Sequence, residues 1–193
     1  MAVIDIFFDY AVSHIEPYHI ALWLLITAAS GALCAALYKK GRIDGKSAVI
    51  LPLLVLYLLL VLRLTLFNRP RNADYAYTLD FDRLIRALQK GKLRPMADQL
   101  WNVVLFVPLG FLLAALCEGK HTVHPFLMVV LASFTIEVTQ FLTRRGVFEL
   151  SDLVLNSLGG LIGVLIIAVP HRRAGRTLLP SCESDRSSSD PRR

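Results

Sequence analysis

Five long apolar stretches constrain this chain more than any other feature of its sequence. They cover residues 19–38, 47–67, 101–117, 123–142 and 153–169. An apolar run of about 20 residues matches a hydrocarbon core roughly 30 Å thick. Because 55% of the 193 residues are hydrophobic and only 19% are charged, too little polar chain remains to cover five such runs in water. The sequence therefore predicts an all-α, polytopic integral membrane helix bundle with five transmembrane helices.

Two segments outside these stretches have sequence patterns that predict their structure. In the long second loop, residues 79–89 place Phe81, Leu84, Ile85 and Leu88 at helical spacing, with charged residues opposite. This pattern predicts a short interfacial amphipathic helix, and an ordinary surface helix over the mouth of the bundle is the alternative. Residues 171–193 are polar and rich in serine, which predicts a disordered cytoplasmic tail.

The distribution of basic residues predicts the orientation of the chain. Residues 1–18 contain no Lys or Arg, which is the wrong composition for a cleavable signal, so we expect an extracytoplasmic N-terminal segment. Residues 19–46 then form an extra first transmembrane helix and a loop with four basic residues. Since basic residues favour the cytoplasmic side, the N-terminus is expected outside and the C-terminus inside.

Polar side chains inside the apolar stretches form stripes. Ser133, Glu137, Gln140 and Arg144 are spaced by four, three and four residues and share one helix face. Asp152 and Asn156 repeat the pattern in the fifth span. Ionisable groups in lipid are costly, so these stripes should face protein or water rather than lipid. The small residues Gly159, Gly160 and Gly163 predict close helix packing on that span.

The order of the spans brings these stripes together. The C-terminal ends of the second and fourth spans and the N-terminal ends of the third and fifth emerge on one side of the membrane. The predicted ligand-binding residues at this face are Arg63, Asn68, Arg69, Asn102, Glu137, Gln140, Arg144, Arg145, Asp152 and Asn156. Guanidinium groups suit phosphates and carboxylates because they offer fixed, bidentate donors. The alternatives are structural: an ion pair between Arg63 and Glu137, and a polar clamp from Asp152 and Asn156 to the loop arginines.

Catalytic and metal-binding signatures are absent from the sequence. It has no P-loop, no His-Glu-x-x-His and no Gly-x-Ser-x-Gly, and its three cysteines are scattered, so we predict no metal and no cofactor. Glu137 and Asp152 are the candidates for acid-base catalysis, but two carboxylates without a positioned nucleophile argue only weakly for an enzyme. The net charge of +6 fits attraction to anionic lipid and requires no nucleic acid.

Four motifs in series resemble those of the VanZ-like family. They are Leu62-Arg-Leu-Thr-Leu-Phe-Asn68, Trp101-Asn-Val-Val-Leu-Phe-Val-Pro-Leu-Gly-Phe111, Ser133-Phe-Thr-Ile-Glu-Val-Thr-Gln140 and Arg145-Gly-Val-Phe-Glu-Leu-Ser-Asp-Leu-Val-Leu-Asn-Ser-Leu-Gly-Gly160. The resemblance covers roughly residues 53–169 and implies a VanZ-like membrane domain over 47–170, in a bacterial membrane protein associated with reduced teicoplanin susceptibility. It marks Arg63, Asn102, Pro108, Gly110, Glu137, Gln140, Arg145, Asp152, Asn156 and Gly160.

These observations favour a non-enzymatic protein of the bacterial cytoplasmic membrane. Its polar pocket, opening to the outer leaflet, is expected to bind or handle an anionic lipid or cell-wall precursor and thereby to alter sensitivity to teicoplanin-type glycopeptides. One alternative is a membrane enzyme acting on a lipid-linked phosphate substrate. Another is a small proton-coupled transporter in which Glu137 carries the proton. Five spans would need a homo-oligomer or a partner to form such a pathway.

Overall fold

Five helices make up most of the described structure. The computed structural model describes residues 17–67, 77–78, 85, 89, 93–118, 122–145 and 147–177. The helices are α1 (Pro17–Lys39), α2 (Gly45–Leu62), α3 (Leu93–Leu116), α4 (Val123–Thr143) and α5 (Leu150–Thr177). Each contains a stretch long and apolar enough to cross a membrane, which confirms the prediction of an all-α bundle with five spans.

Helix α2 has a distinct structure at each end. At its start the Asp44 carboxylate accepts hydrogen bonds from the backbone N–H groups of Lys46, at 3.2 Å, and Ser47, at 3.4 Å. At its end the chain continues as a π-helical segment, Arg63–Phe67. A π-helix is wider than an α-helix and rare except as single turns, often at functional sites. Arg63, a predicted site residue, is the first residue of this segment.

Helices α3 and α5 make the most extensive contact in the bundle. A Cβ atom at Gly159 would overlap the carbonyl oxygen of Val103, and one at Gly163 would overlap that of Val107. Gly110 approaches the carbonyl group of Gly160 in the same way. The glycines of α5 thus allow the backbones of two helices of the same chain to touch.

The apolar core lies among α2, α3 and α4, and α1 lies beside it. Val61, Phe106 and Val129 are fully buried there. Helix α1 packs along α2 and exposes large apolar side chains such as Leu24 and Leu25. Such a surface is suited to contact with lipid, because the solvent around a membrane span is itself apolar.

A short parallel ladder connects two loops on one face of the bundle. Strand β1 (Tyr77–Thr78) pairs with β2 (Phe148–Glu149), with Tyr77 opposite Phe148 and Thr78 opposite Glu149. The long second loop is thereby attached to the α4–α5 connection. Two-residue strands are too short to show the alternating pattern from which strands are predicted, so the sequence did not indicate this ladder.

Two predicted segments lie largely outside the described residues. Of the predicted interfacial helix, the structure describes Ile85 and Gln89, which are helical and exposed. In the predicted disordered tail, residues 171–177 are helical instead, because α5 continues to Thr177. Arg and Ala are good helix formers, which allows the helix to extend past the span. Residues 178–193 lie outside the described part of the chain.

Candidate functional site

The polar side chains at the end of α2, along α4 and at the start of α5 are buried. Glu137 and Gln140 on α4 are each 1% exposed, Asp152 and Asn156 on α5 are each 3% exposed, and Arg63 is 6% exposed. Asn102 on α3 is partly buried. Asn68 and Arg69 lie outside the described residues. We call the buried residues Arg63, Ser133, Glu137, Gln140, Glu149, Asp152 and Asn156 the polar cluster.

The polar stripe of α4 forms a link to a different element at each turn. At Ser133, the side-chain oxygen accepts a hydrogen bond from Asn156 Nδ2 on α5 at 2.9 Å. One turn later, Glu137 Oε2 accepts a hydrogen bond from the backbone N–H of Glu149 in β2 at 3.1 Å. Hydrogen bonds away from water are stronger than the same bonds on a surface, so these contacts fix α4 against its neighbours.

The third link runs from Gln140 to the π-helical segment. Gln140 Nε2 donates to the backbone oxygen of Thr65 at 2.9 Å. Carbonyl groups in the last turn of a helix have no donor within the helix, so a side chain from another element can satisfy them. The Thr65 hydroxyl in turn donates to the carbonyl oxygen of Val61 at 2.8 Å. The stripe therefore joins α4 to α5, to β2 and to the end of α2.

Several buried polar residues were not among the predicted site residues. Glu149 and Ser151 are each 1% exposed. Glu149 lies in β2, between α4 and α5, and Ser151 is the second residue of α5. Gln99, near the start of the third span, is also buried. The signal for Glu149 was its position between Phe148 and Leu150, where an acid is flanked by apolar residues on both sides. With Glu149, the cluster contains three buried carboxyl groups.

Among the buried oxygen atoms of the cluster are amide oxygens that accept no hydrogen bond from any described residue. They are Gln140 Oε1 and Asn156 Oδ1. Buried acceptors of this kind are usually satisfied by water or by a donor group of a ligand. Within the described ranges, no three His, Cys, Asp or Glu side chains come together as ligands for a metal ion.

Arg144 and Arg145 directly follow α4. Arg144 adopts the left-handed conformation, with φ 56° and ψ 26°, and this ends the helix. The backbone N–H of Arg145 then donates to the carbonyl oxygen of Gln140 at 2.9 Å, which ties the turn to the cluster. The Arg144 side chain is exposed and that of Arg145 is partly buried. Arg144 was predicted to continue the polar stripe, but the end of the helix turns it outward.

A cavity of about 310 Å³ lies beside the cluster, and its lining is apolar. It is formed by Tyr77, Phe134, Val138, Phe141 and Phe148. The rings of Phe134 and Phe148 meet edge to face, with centroids 6.5 Å apart. None of these five side chains belongs to the polar cluster, and the polar pocket stays a prediction.

The region that contains the four motifs matches a known protein family. The model of the VanZ/LLP1 family matches residues 54–171, which is more than half of the chain. The chain belongs to the VanZ/LLP1 family. This match contains every described member of the polar cluster and both arginines at the end of α4, whereas α1 lies before it.

A characterised protein of similar sequence agrees with this family assignment. Protein VanZ of Enterococcus faecium is 28% identical to this VanZ/LLP1 chain over 129 residues, which are 66% of this chain and 78% of the relative. No solved structure matches the chain. A direct ion pair between Arg63 and Glu137, and a homo-oligomer of the chain, stay predictions.

Proposed function

We propose that this protein is a non-enzymatic component of the bacterial envelope that binds an anionic lipid or cell-wall precursor at the end of α4. The observation that carries the proposal is the pair Arg144 and Arg145, which presents two guanidinium groups at the membrane face directly after a spanning helix. Lipid phosphates lie at that depth, and guanidinium groups bind phosphate through paired, charge-assisted hydrogen bonds.

The polar cluster supports this role by holding the arginines in place. Its hydrogen bonds fix the end of α4 to the π-helical segment of α2 and to β2. A binding group works best when its supporting structure restricts its position before the ligand arrives. In this proposal the buried residues position the site, and the arginines contact the ligand.

The proposed setting is the cytoplasmic membrane of a bacterium, with the N-terminus outside and the C-terminus inside. Two features of the sequence support this orientation: the first loop carries Lys39, Lys40, Arg42 and Lys46, and the N-terminal segment has no basic residue. The site then faces the outer leaflet. Binding a lipid or precursor there is proposed to lower susceptibility to teicoplanin-type glycopeptides, in keeping with VanZ/LLP1 membership.

The test is native mass spectrometry of gently extracted protein. Wild type is compared with Arg144→Gln/Arg145→Gln and with Lys39→Gln/Lys40→Gln, a control that removes the same charge after a different helix. We expect wild type and control to retain an anionic lipid, and the Arg144/Arg145 variant to lose it about tenfold or more, since hydrogen bonds to charged groups contribute roughly 1.5–3 kcal/mol each. Equal retention by all three proteins would contradict the proposal.

Two further measurements test the remaining parts. The minimum inhibitory concentration of teicoplanin should rise in a susceptible host that expresses wild type, and should rise less with the Arg144/Arg145 variant. Chemical conversion of the retained lipid by wild type, lost in Glu137→Gln while binding remains, would instead establish an enzyme with Glu137 as its acid-base group.

A further inference from the structure

We propose that the apolar cavity is a groove for one acyl chain of an anionic glycerophospholipid whose phosphate binds Arg144 and Arg145. The inference rests on the proposed function and adds the position of the hydrocarbon part of the lipid. The groove is lined by Tyr77, Phe134, Val138, Phe141 and Phe148, and none of these side chains is charged. The name "aromatic groove" is used below for this set of residues.

The aromatic groove lies beside α4 within the depth of one leaflet. Phe134, Val138 and Phe141 are spaced by four and three residues and form one stripe along the helix. At 1.5 Å per residue, Phe134 lies about 14 Å from Thr143 at the end of the helix. This distance is close to half of a hydrocarbon core roughly 30 Å thick. A chain lying in the groove would therefore run from the bilayer midplane to the head-group region.

The groove ends at the arginines. Phe141 lies in the last turn of α4, and Arg144 and Arg145 follow that helix directly, so the apolar stripe and the two arginines share one end of α4. An anionic glycerophospholipid has the same order of parts: an apolar chain within the leaflet and a phosphate at its surface. Charge and depth are therefore complementary to this class of lipid along the whole length of the groove.

The wall of the groove is attached to the polar cluster. Tyr77 and Phe148 are opposite each other in the β1–β2 ladder, and both line the groove. The next residue of β2, Glu149, is held through its backbone N–H by Glu137. Glu137 precedes Val138, so the polar and apolar stripes lie on adjacent faces of α4, rotated by about 100°. The cluster thus fixes the strand that closes the groove.

The size and lining of the groove restrict its occupant. Its volume of about 310 Å³ lies at the lower end of the roughly 300–1,000 Å³ typical of small-molecule sites. This suits one hydrocarbon chain rather than a whole lipid. A peptide segment in the groove would leave backbone N–H and C=O groups unsatisfied against an apolar lining, which is costly at membrane depth.

Filling the groove tests the inference. Val138→Trp places a large ring inside it, and Val154→Trp makes the same change on the exposed surface of α5, four residues from the start of that helix and at the same membrane face. Native mass spectrometry measures the binding of phosphatidylglycerol, with phosphatidylcholine of the same chains as the uncharged comparison. We expect Val138→Trp to weaken phosphatidylglycerol binding about tenfold, and Val154→Trp to leave it unchanged.

The outcomes separate this inference from the proposed function. If Val138→Trp binds phosphatidylglycerol like wild type while Arg144→Gln/Arg145→Gln does not, the groove is overturned and the head-group site stands. If no variant differs from wild type, the proposed function fails as well. Stronger retention of farnesyl phosphate than of phosphatidylglycerol by wild type would overturn the glycerophospholipid assignment.

A second variant, Phe141→Ala, replaces Val138→Trp if that variant aggregates. It removes part of the groove wall without adding volume, and it is also expected to weaken phosphatidylglycerol binding.

Discussion

Glu137 connects the polar cluster to the strand that closes the aromatic groove. Its carboxylate accepts the backbone N–H of Glu149 in a buried position. In Glu137→Leu this N–H loses its acceptor, so we expect a loss of about 1–3 kcal/mol in the free energy of unfolding. Glu137→Gln keeps an oxygen acceptor in a side chain of the same length and should lose less. Thermal unfolding in detergent measures both, and Thr135→Ala, an exposed change on the same helix, is the control. Equal melting temperatures for Glu137→Leu and wild type would contradict this role.

Asp44 gives the stability of α2 a dependence on pH. The hydrogen bond from the Ser47 side chain, followed by those from the backbone, lowers the pKa of this carboxyl below its ordinary value of 3.8. Because the folded-state pKa is lower than the unfolded one, the charged form stabilises the fold above pH 3.8, and this contribution is lost as the pH falls through the folded-state pKa.

The variant Asp44→Asn separates this titration from helix capping. Asparagine is as good an N-cap as aspartate but carries no charge. We therefore expect wild type to lose more stability than Asp44→Asn when the pH is lowered from neutrality to below 3.8. Melting temperatures in detergent at several pH values measure the difference. Parallel pH profiles for the two proteins would show that Asp44 does not contribute.

The close packing of α3 against α5 requires glycine at their contact. An alanine at Gly163 would place a methyl group against the backbone of Val107, and the helices would have to separate. Overpacking of this kind costs about 1–3 kcal/mol, occasionally more. Gly31→Ala is the matched control, because its nearest neighbour outside α1 is a Pro52 side-chain atom at 4.0 Å. We expect Gly163→Ala to lower the melting temperature and Gly31→Ala to leave it unchanged or raise it slightly. The reverse order would contradict the packing.

The helices were predictable from the sequence, and the local departures from them were not. Hydropathy reports whether a segment is suited to lipid, so it found all five spans. It contains no information on the backbone hydrogen-bond pattern, and therefore the π-helical turn at Arg63–Phe67 was predicted as ordinary helix. The spacing of Ser133, Glu137 and Gln140 predicted a shared face, and that face proved to be the buried one. The outward turn of Arg144 depends on its left-handed backbone, which the spacing cannot show.

The whole bundle determines which polar residues meet. The order of the spans predicts that Arg63, Glu137, Asp152 and Asn156 meet at one membrane face, and all four are buried. It was not enough to show that Glu149 joins them, because this residue reaches the cluster through a loop and a tertiary hydrogen bond.

The same order of spans makes a prediction about the intact membrane. In a variant whose cysteines at positions 34, 117 and 182 are replaced, single cysteines are introduced by Lys40→Cys, Glu118→Cys and Arg144→Cys, all at exposed positions. With the N-terminus outside, a membrane-impermeant maleimide should label Arg144→Cys in intact cells, and the other two only after permeabilisation.

The other labelling patterns would indicate a different orientation or a different fold. Labelling of Lys40→Cys and Glu118→Cys in intact cells, with Arg144→Cys protected, would place the arginines at the cytoplasmic leaflet. The bound lipid would then have to come from that leaflet, and an effect on extracellular glycopeptides would need another route. Labelling of Glu118→Cys and Arg144→Cys from the same side would contradict the fold itself, because α4 lies between them and must cross the membrane once.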